Sequence, residues 1–156
     1  MSASTAPLSN VEKEEFAIIA RAEAELSAMK DAYLIAVTAD IDETGVQLER
    51  VRKSAGRDGE ALQAIFTLMH NIKGQGSTFG YMFVTELADI ACTVLRDRTT
   101  TTPAELKVVE QARSVMKVTI DRRMEGTGGD KGRDLLARLQ AMAGDAIARR
   151  SVKGAA

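Results

Sequence analysis

Cysteine, histidine, tryptophan and proline are nearly missing from this chain: its 156 residues include one cysteine, one histidine, no tryptophan and two prolines. A single cysteine, Cys92, cannot close an internal disulfide, which removes the disulfide-rich secreted class and suits a reducing compartment. His70 and Cys92 alone cannot assemble a His/Cys zinc site or a multi-histidine metal centre, so no metal is expected. Any chemistry that needs an imidazole has one seat, His70. A basic excess is also missing. The 21 Lys and Arg are set against 22 Asp and Glu, a formal net charge of −1, whereas proteins that neutralise nucleic-acid phosphates usually carry a basic surplus. No nucleic-acid partner is expected, and the short basic runs Arg122-Arg123 and Arg149-Arg150 with Lys153 read as solvated helix ends. Long apolar runs are absent too. The longest, Phe16–Ala20 and Ala32–Val37, are five and six residues, far short of the ~18–20 that span a bilayer. The first residues lack the basic and apolar regions of a signal peptide. A cytoplasmic protein with no membrane contact is the expectation.

What is present is helix-forming. Ala, Leu, Glu, Lys, Arg and Met are abundant, β-branched alternation is not found, and the two prolines, Pro7 and Pro103, stand at segment starts. A chain of this length buries roughly 68–70% of its unfolded surface, enough for one core. Two helix starts carry capping boxes: Ser9 with Glu12, and Thr102-Pro103-Ala104-Glu105 with proline at the first helical position. From Ser9, apolar residues recur at helical spacing through Phe16, Ile19, Leu26, Met29, Tyr33, Val37, Ile41, Leu48 and Val51. That length predicts a break, placed between residues 27 and 32. Gly56–Gly59 and Gly126–Gly129 read as loops, and a last helix is expected from Gly132 to about Arg150. Between the loops lie two seams. Leu62, Ile65, Met69, Ile72 and Gly76 form one; Phe83, Leu87, Ile90 and Val94 form the other. Two antiparallel helices joined around Ser77–Gly80 would pack these seams together.

His70 lies about 100° from the seam residue Met69, on a flank shared with Phe66, Lys73, Gly74 and Ser77. Glycine inside a helix costs about 1 kcal/mol relative to alanine, and Gly74 and Gly76 put two such losses close together. A clearing beside an imidazole, with an ammonium one turn away, suits a phosphoryl group. On spacing alone the competing reading, a half-exposed histidine beside a solvated lysine, stands equally open. Phe66, with Ser77 and Thr78 at its rim, is a candidate docking patch; a second-tier core residue is the alternative.

The run His70-Asn71-Ile72-Lys73-Gly74-Gln75-Gly76-Ser77-Thr78-Phe79-Gly80 resembles the phosphoacceptor helix of histidine-containing phosphotransfer (HPt) domains. Its Thr78-Phe79-Gly80-Tyr81 ending looks most like the phosphotransfer domain of chemotaxis-type histidine kinases. The resemblance implies an all-α fold: an antiparallel four-helix bundle with an additional C-terminal helix and an N-terminal helical extension. The expected boundaries are 1–24 for the extension, 25–150 for the bundle and 151–156 for a flexible tail. By the same resemblance His70 is the phosphoacceptor through Nε2, Lys73 sits beside the phosphoryl oxygens and Gly74 gives a partner access. Ile72 and Phe79 are core, and Gly80 makes the turn. The family often places a glutamine or carboxylate 22 residues after the histidine to hydrogen-bond the ring or phosphate; here that position is Cys92. Asp89 and Glu86 are candidate substitutes, and Arg96 is either a supporting cation or a solvated helix-end residue.

A neutral imidazole is the nucleophilic form, and histidine's ordinary pKa, about 6.5, makes that form abundant at neutral pH. Neither Gly74-Gln75-Gly76 nor Gly126–Lys131 has the spacing of a nucleotide-binding loop, and no kinase motif is present. The implied partners are therefore a response-regulator receiver domain, a histidine kinase, or both, with Mg²⁺ on the partner and no cofactor on this chain. A monomer is expected. Met1 and the Gly154-Ala155-Ala156 end read as natural termini, which favours a stand-alone phosphorelay protein over a domain cut from a kinase. The alternative is a helical regulator that binds a receiver or kinase without transferring phosphate, and the Cys92 departure is what supports it. A helical enzyme has too few catalytic side chains to draw on.

Overall fold

The computed structural model describes residues 6–154, with side chains described through Arg150. Its helices are α1 (Asn10–Lys53), α2 (Gly59–Gly76), α3 (Met82–Leu95), α4 (Pro103–Asp121) and α5 (Gly129–Gly154), with a 3₁₀ turn at Ser77–Phe79. There is no strand among the described residues. α5 carries on to Gly154, so residues 151–154 of the expected tail are helical; 155–156, and residues 1–5 of the expected extension, lie outside the described residues.

Met1–Ile35 and Ala36–Ala156 form two compact units. In the first, the capping box forms as the sequence predicts: the Ser9 N–H donates to Glu12 Oε2 at 2.7 Å and the Glu12 N–H donates to Ser9 Oγ at 3.2 Å. Residues 6–29 are exposed throughout, Phe16, Ile19, Leu26 and Met29 included, while Tyr33 is buried. The break expected between residues 27 and 32 is not there; α1 is continuous. That stretch, Ser27-Ala28-Met29-Lys30-Asp31-Ala32, holds neither Gly nor Pro, so nothing interrupts its hydrogen-bond ladder. The helix stops only where Ala55 (φ 53°) and Gly56 (φ 82°) turn left-handed and the Gly56 N–H donates back to the Val51 carbonyl at 2.9 Å.

In the second unit α1 buries Val37, Ile41, Thr44, Leu48 and Val51, all close to fully covered. Gly45 lets Arg113 of α4 lie flat across it: a Cβ there would stand 2.5 Å from the guanidinium, whose Nε donates to the Ile41 carbonyl at 2.8 Å. Arg52–Glu110 at 2.6 Å and Lys117–Asp42 at 3.3 Å join the same two helices. α3 packs against α2, α4 and α5 and is the core helix, with nine of its 14 residues buried. Both predicted seams are buried in full: Leu62, Ile65, Met69, Ile72 and Gly76 on α2, and Phe83, Leu87, Ile90 and Val94 on α3. Burial of this apolar surface, at about 25 cal/mol per Å², is what holds the bundle. The glycines of the α4–α5 loop serve the same core. The Phe83 ring lies against Gly128 and Gly132, and a Cβ on either would stand within 3.3 Å of it.

α4 opens on the predicted capping box, and its glutamate does more than cap. Glu105 is fully buried; its Oε1 accepts from the Thr102 N–H at 3.1 Å, and Arg150 and Arg98 approach its two oxygens at 3.4 and 3.6 Å. These approaches are ion-pair contacts without hydrogen-bond geometry. Arg150, from α5, also donates to the Thr100 carbonyl at 2.8 Å. One carboxylate thus ties the start of α4, the loop before it and the end of α5. Removing it leaves two partly covered guanidinium groups without a counter-charge. Glu105→Ala is expected to lower stability by about 2–4 kcal/mol, read by urea unfolding; a loss under about 1 kcal/mol, that of a cap alone, would show that the arginines contribute nothing.

Candidate functional site

The site is built on the α2–α3 hairpin. Gly80 (φ 88°) closes the turn, its N–H donating to the Ser77 carbonyl at 3.2 Å, and its own carbonyl accepts from the Gly126 N–H at 2.7 Å. Gly76 then lets α3 come against α2. A Cβ there would collide with Thr85 Oγ1 and stand 3.0 Å from the Tyr81 carbonyl. In that space the Thr85 hydroxyl donates to the Lys73 carbonyl at 3.2 Å, pinning the last turn of α2 to the first turn of α3.

His70 faces outward on α2, exposed, with the Phe66 ring one turn below it stacked at 6.1 Å between centroids and 18° between planes. Its ring nitrogens have no hydrogen-bond partner among the described residues. Phe66 is half-buried, and Ser77 and Thr78 are exposed beyond it. Ile72 is core, as the resemblance implies, but Phe79 is only half-buried, because it belongs to the 3₁₀ turn rather than to either seam.

Lys73 is half-buried, and its Nζ pairs with Asp89 Oδ1 of α3 at 2.7 Å. Asp89 was a candidate partner for the imidazole. The structure gives it to the lysine instead, because Asp89 stands one turn beyond Thr85 and so faces Lys73 across the hairpin. Glu86, also a candidate, turns to the cleft between α3 and α5 with Arg133 and Gln140. Arg96 is exposed where α3 ends. Cys92 is buried one turn past Asp89; burial pushes its thiol up to about 11, against a smaller opposing pull from Lys73. It stays protonated at neutral pH and presents no charge to the site. No group of three His, Cys, Asp or Glu side chains able to hold a metal occurs among the described residues.

The two glycines of the motif have different work. Gly76 is a contact residue, whereas nothing lies within 4 Å of a Cβ built on Gly74. Gly74 is therefore dispensable to the fold and leaves the surface one turn above His70 clear. Gly76→Ala is expected to destabilise, by about 1–3 kcal/mol as overpacking does. Gly74→Ala is expected to keep stability or gain up to about 1 kcal/mol. Thermal melts of the two variants check this, and equal effects would contradict it. Alkylation supplies a second check. Cys92 should react slowly with iodoacetamide at pH 8 in the folded chain and quickly in denaturant; fast labelling of the native protein would contradict its burial.

An exposed imidazole on a convex helix, beside a lysine and a cleared backbone, can receive a group only from another molecule's active site. The chain holds no helix long and apolar enough to cross a membrane among its described residues. Neither the curated proteins nor the solved structures yield a match. The family model of the Hpt domain matches residues 28–145, a span that contains the His70 hairpin and most of the bundle. On that match the chain belongs to the Hpt domain family, the histidine phosphotransfer domains of phosphorelays.

Proposed function

We propose that His70 is the phosphoacceptor of this chain, taking a phosphoryl group from a kinase or receiver domain and passing it to a response-regulator aspartate. The observation that carries the reading is the outward imidazole with both nitrogens free of hydrogen-bond partners among the described residues. Nε2 attacks phosphorus and forms the N–P bond. With a phosphorylated receiver as donor, the P–O bond to its aspartyl carboxylate breaks, its electron pair leaves on that carboxylate, and the Nδ1 proton passes to water. Transfer onward is the reverse of these steps with a different aspartate. Lys73 stands three residues on, the spacing that lets its ammonium meet the phosphoryl oxygens, where an ion-assisted hydrogen bond is worth roughly 1.5–3 kcal/mol. The partner contributes Mg²⁺ and most of the charge stabilisation, so this chain needs to present its histidine and little else. Phe66, Ser77 and Thr78 form the docking rim, and the open surface over Gly74 admits the partner's loops.

Incubation with a phosphorylated receiver domain is expected to label the chain with an acid-labile, base-stable phosphate that is lost in His70→Ala. A label that persists in that variant would sink the proposal. If wild type takes no label yet binds the receiver as well as His70→Gln does, the chain is a regulator that does not transfer. Gly74→Leu is expected to keep the melting temperature and slow transfer about tenfold or more by obstructing the partner. Unchanged transfer would remove the access role of Gly74.

A further inference from the structure

The Lys73–Asp89 pair joins a residue of the motif to one outside it, and we propose that Asp89 is a positioning residue that competes with the phosphoryl group for the Lys73 ammonium and so sets how strongly His70 holds phosphate. The inference rests on the phosphoacceptor reading of His70.

In the unphosphorylated chain Lys73 Nζ lies 2.7 Å from Asp89 Oδ1, with 37% and 52% of the two side chains exposed. A pair this wet is weak and easily exchanged. The geometry that creates it is fixed, because the Thr85 hydroxyl holds the Lys73 carbonyl at 3.2 Å and Gly76 lets the helices close. The lysine stem is long and flexible, so its ammonium can swing from α3 back to the flank of α2 where His70 stands, while its own backbone stays pinned. A phosphoryl group on Nε2 brings more negative charge than one carboxylate and draws the ammonium across. The freed Asp89 is half exposed, and water meets its charge.

Two consequences follow by linkage. Before transfer, Asp89 stabilises the resting state by occupying Lys73. After transfer, that contact is given up, so the phosphorylated state is held less tightly than Lys73 alone would hold it. Asp89 therefore keeps the phosphoryl group transferable. Cys92 sits among Lys73, Asp89 and Arg96 but stays protonated, so no second anion competes from that turn.

The experiment is a double-mutant cycle on the phosphotransfer equilibrium between a phosphorylated receiver and the full chain. Asp89→Asn is expected to move the equilibrium about two- to fivefold towards phosphorylated His70, the range an exposed pair supports, with slower return to the receiver. Asp89→Glu is expected to restore the wild-type value. In a Lys73→Met background Asp89→Asn is expected to change nothing, because the competition runs through the ammonium. An equal shift in both backgrounds would mean that Asp89 repels the phosphate directly, and it overturns the proposal; so does the absence of a shift in the wild-type background. A wild-type chain that labels on His70 while Asp89→Asn behaves identically defeats this inference alone. A wild-type chain that never labels defeats the phosphoacceptor reading and this inference with it.

Discussion

The close approach of α3 to α2 at Gly76 governs the rest of the hairpin. With no side chain there, the Thr85 hydroxyl reaches the Lys73 carbonyl and the Tyr81 carbonyl comes within 3.0 Å of where a Cβ would stand. This sets the register of the two helices, because one fixed contact near the turn determines which residues face each other further along. The register then brings Lys73 opposite Asp89 and lets Ile72 and Met69 meet the apolar seam of α3. Since Met69 must point into the core, its neighbour His70 is left on the flank, facing water. The histidine is thus exposed by the helical repeat that buries its neighbour, not by a device of its own.

The hairpin is held from a second side. The Gly80 carbonyl accepts from Gly126, and the Gly126 carbonyl accepts from the Phe83 N–H at 3.0 Å. The loop between α4 and α5 is stitched into the α2–α3 turn and satisfies a donor at the start of α3 that its own helix leaves open. The Phe83 ring against Gly128 and Gly132 closes the packing at that end. At the other end of the bundle, Glu105 gathers Arg98 and Arg150. The start of α5 is therefore tied to the hairpin that carries the site, and its end to the start of α4 and the loop before it.

Much of this was legible in the residues. Ser9 and Thr102 with their glutamates announced two helix starts, the two seams announced the packed faces, and the eleven residues from His70 to Gly80 announced the family. Other features were hidden for physical reasons. Apolar spacing reports that a helix is amphipathic but not whether anything covers it, so Phe16 and Ile19 read like Tyr33 and Val37, yet only the latter are buried. The length of the continuous 44-residue α1 argues for a break in the sequence, although no breaker residue asks for one. Gly45 shows the converse: its reason is Arg113, a contact between residues far apart in the chain that no local pattern encodes. The sequence marks Asp89 as a polar candidate, but its partner depends on the register at Gly76. The two glycines of the motif also looked alike in sequence, and only the structure separates one that makes contact from one that makes room.

Two of the carboxylates that meet cations, Glu105 and Asp89, differ in burial, and burial decides what each can do. Glu105 is fully covered, so losing its arginines would leave an unpaired charge in a region of low dielectric, and the contact is costly to break. Asp89 is half exposed, so water stands ready to replace Lys73 at little cost in free energy. A residue that must let go of its partner whenever a phosphoryl group arrives can work only in the second setting. The same reasoning applies to His70. A buried, hydrogen-bonded imidazole would be well oriented but out of a partner's reach, and its phosphorylated form would have to shed that bond before each transfer. The exposed ring, stacked only on Phe66, gives up fixed orientation and keeps access. For a group that travels between proteins, access is the constraint the fold has to meet, and the apolar seams carry the stability that the site itself does not supply.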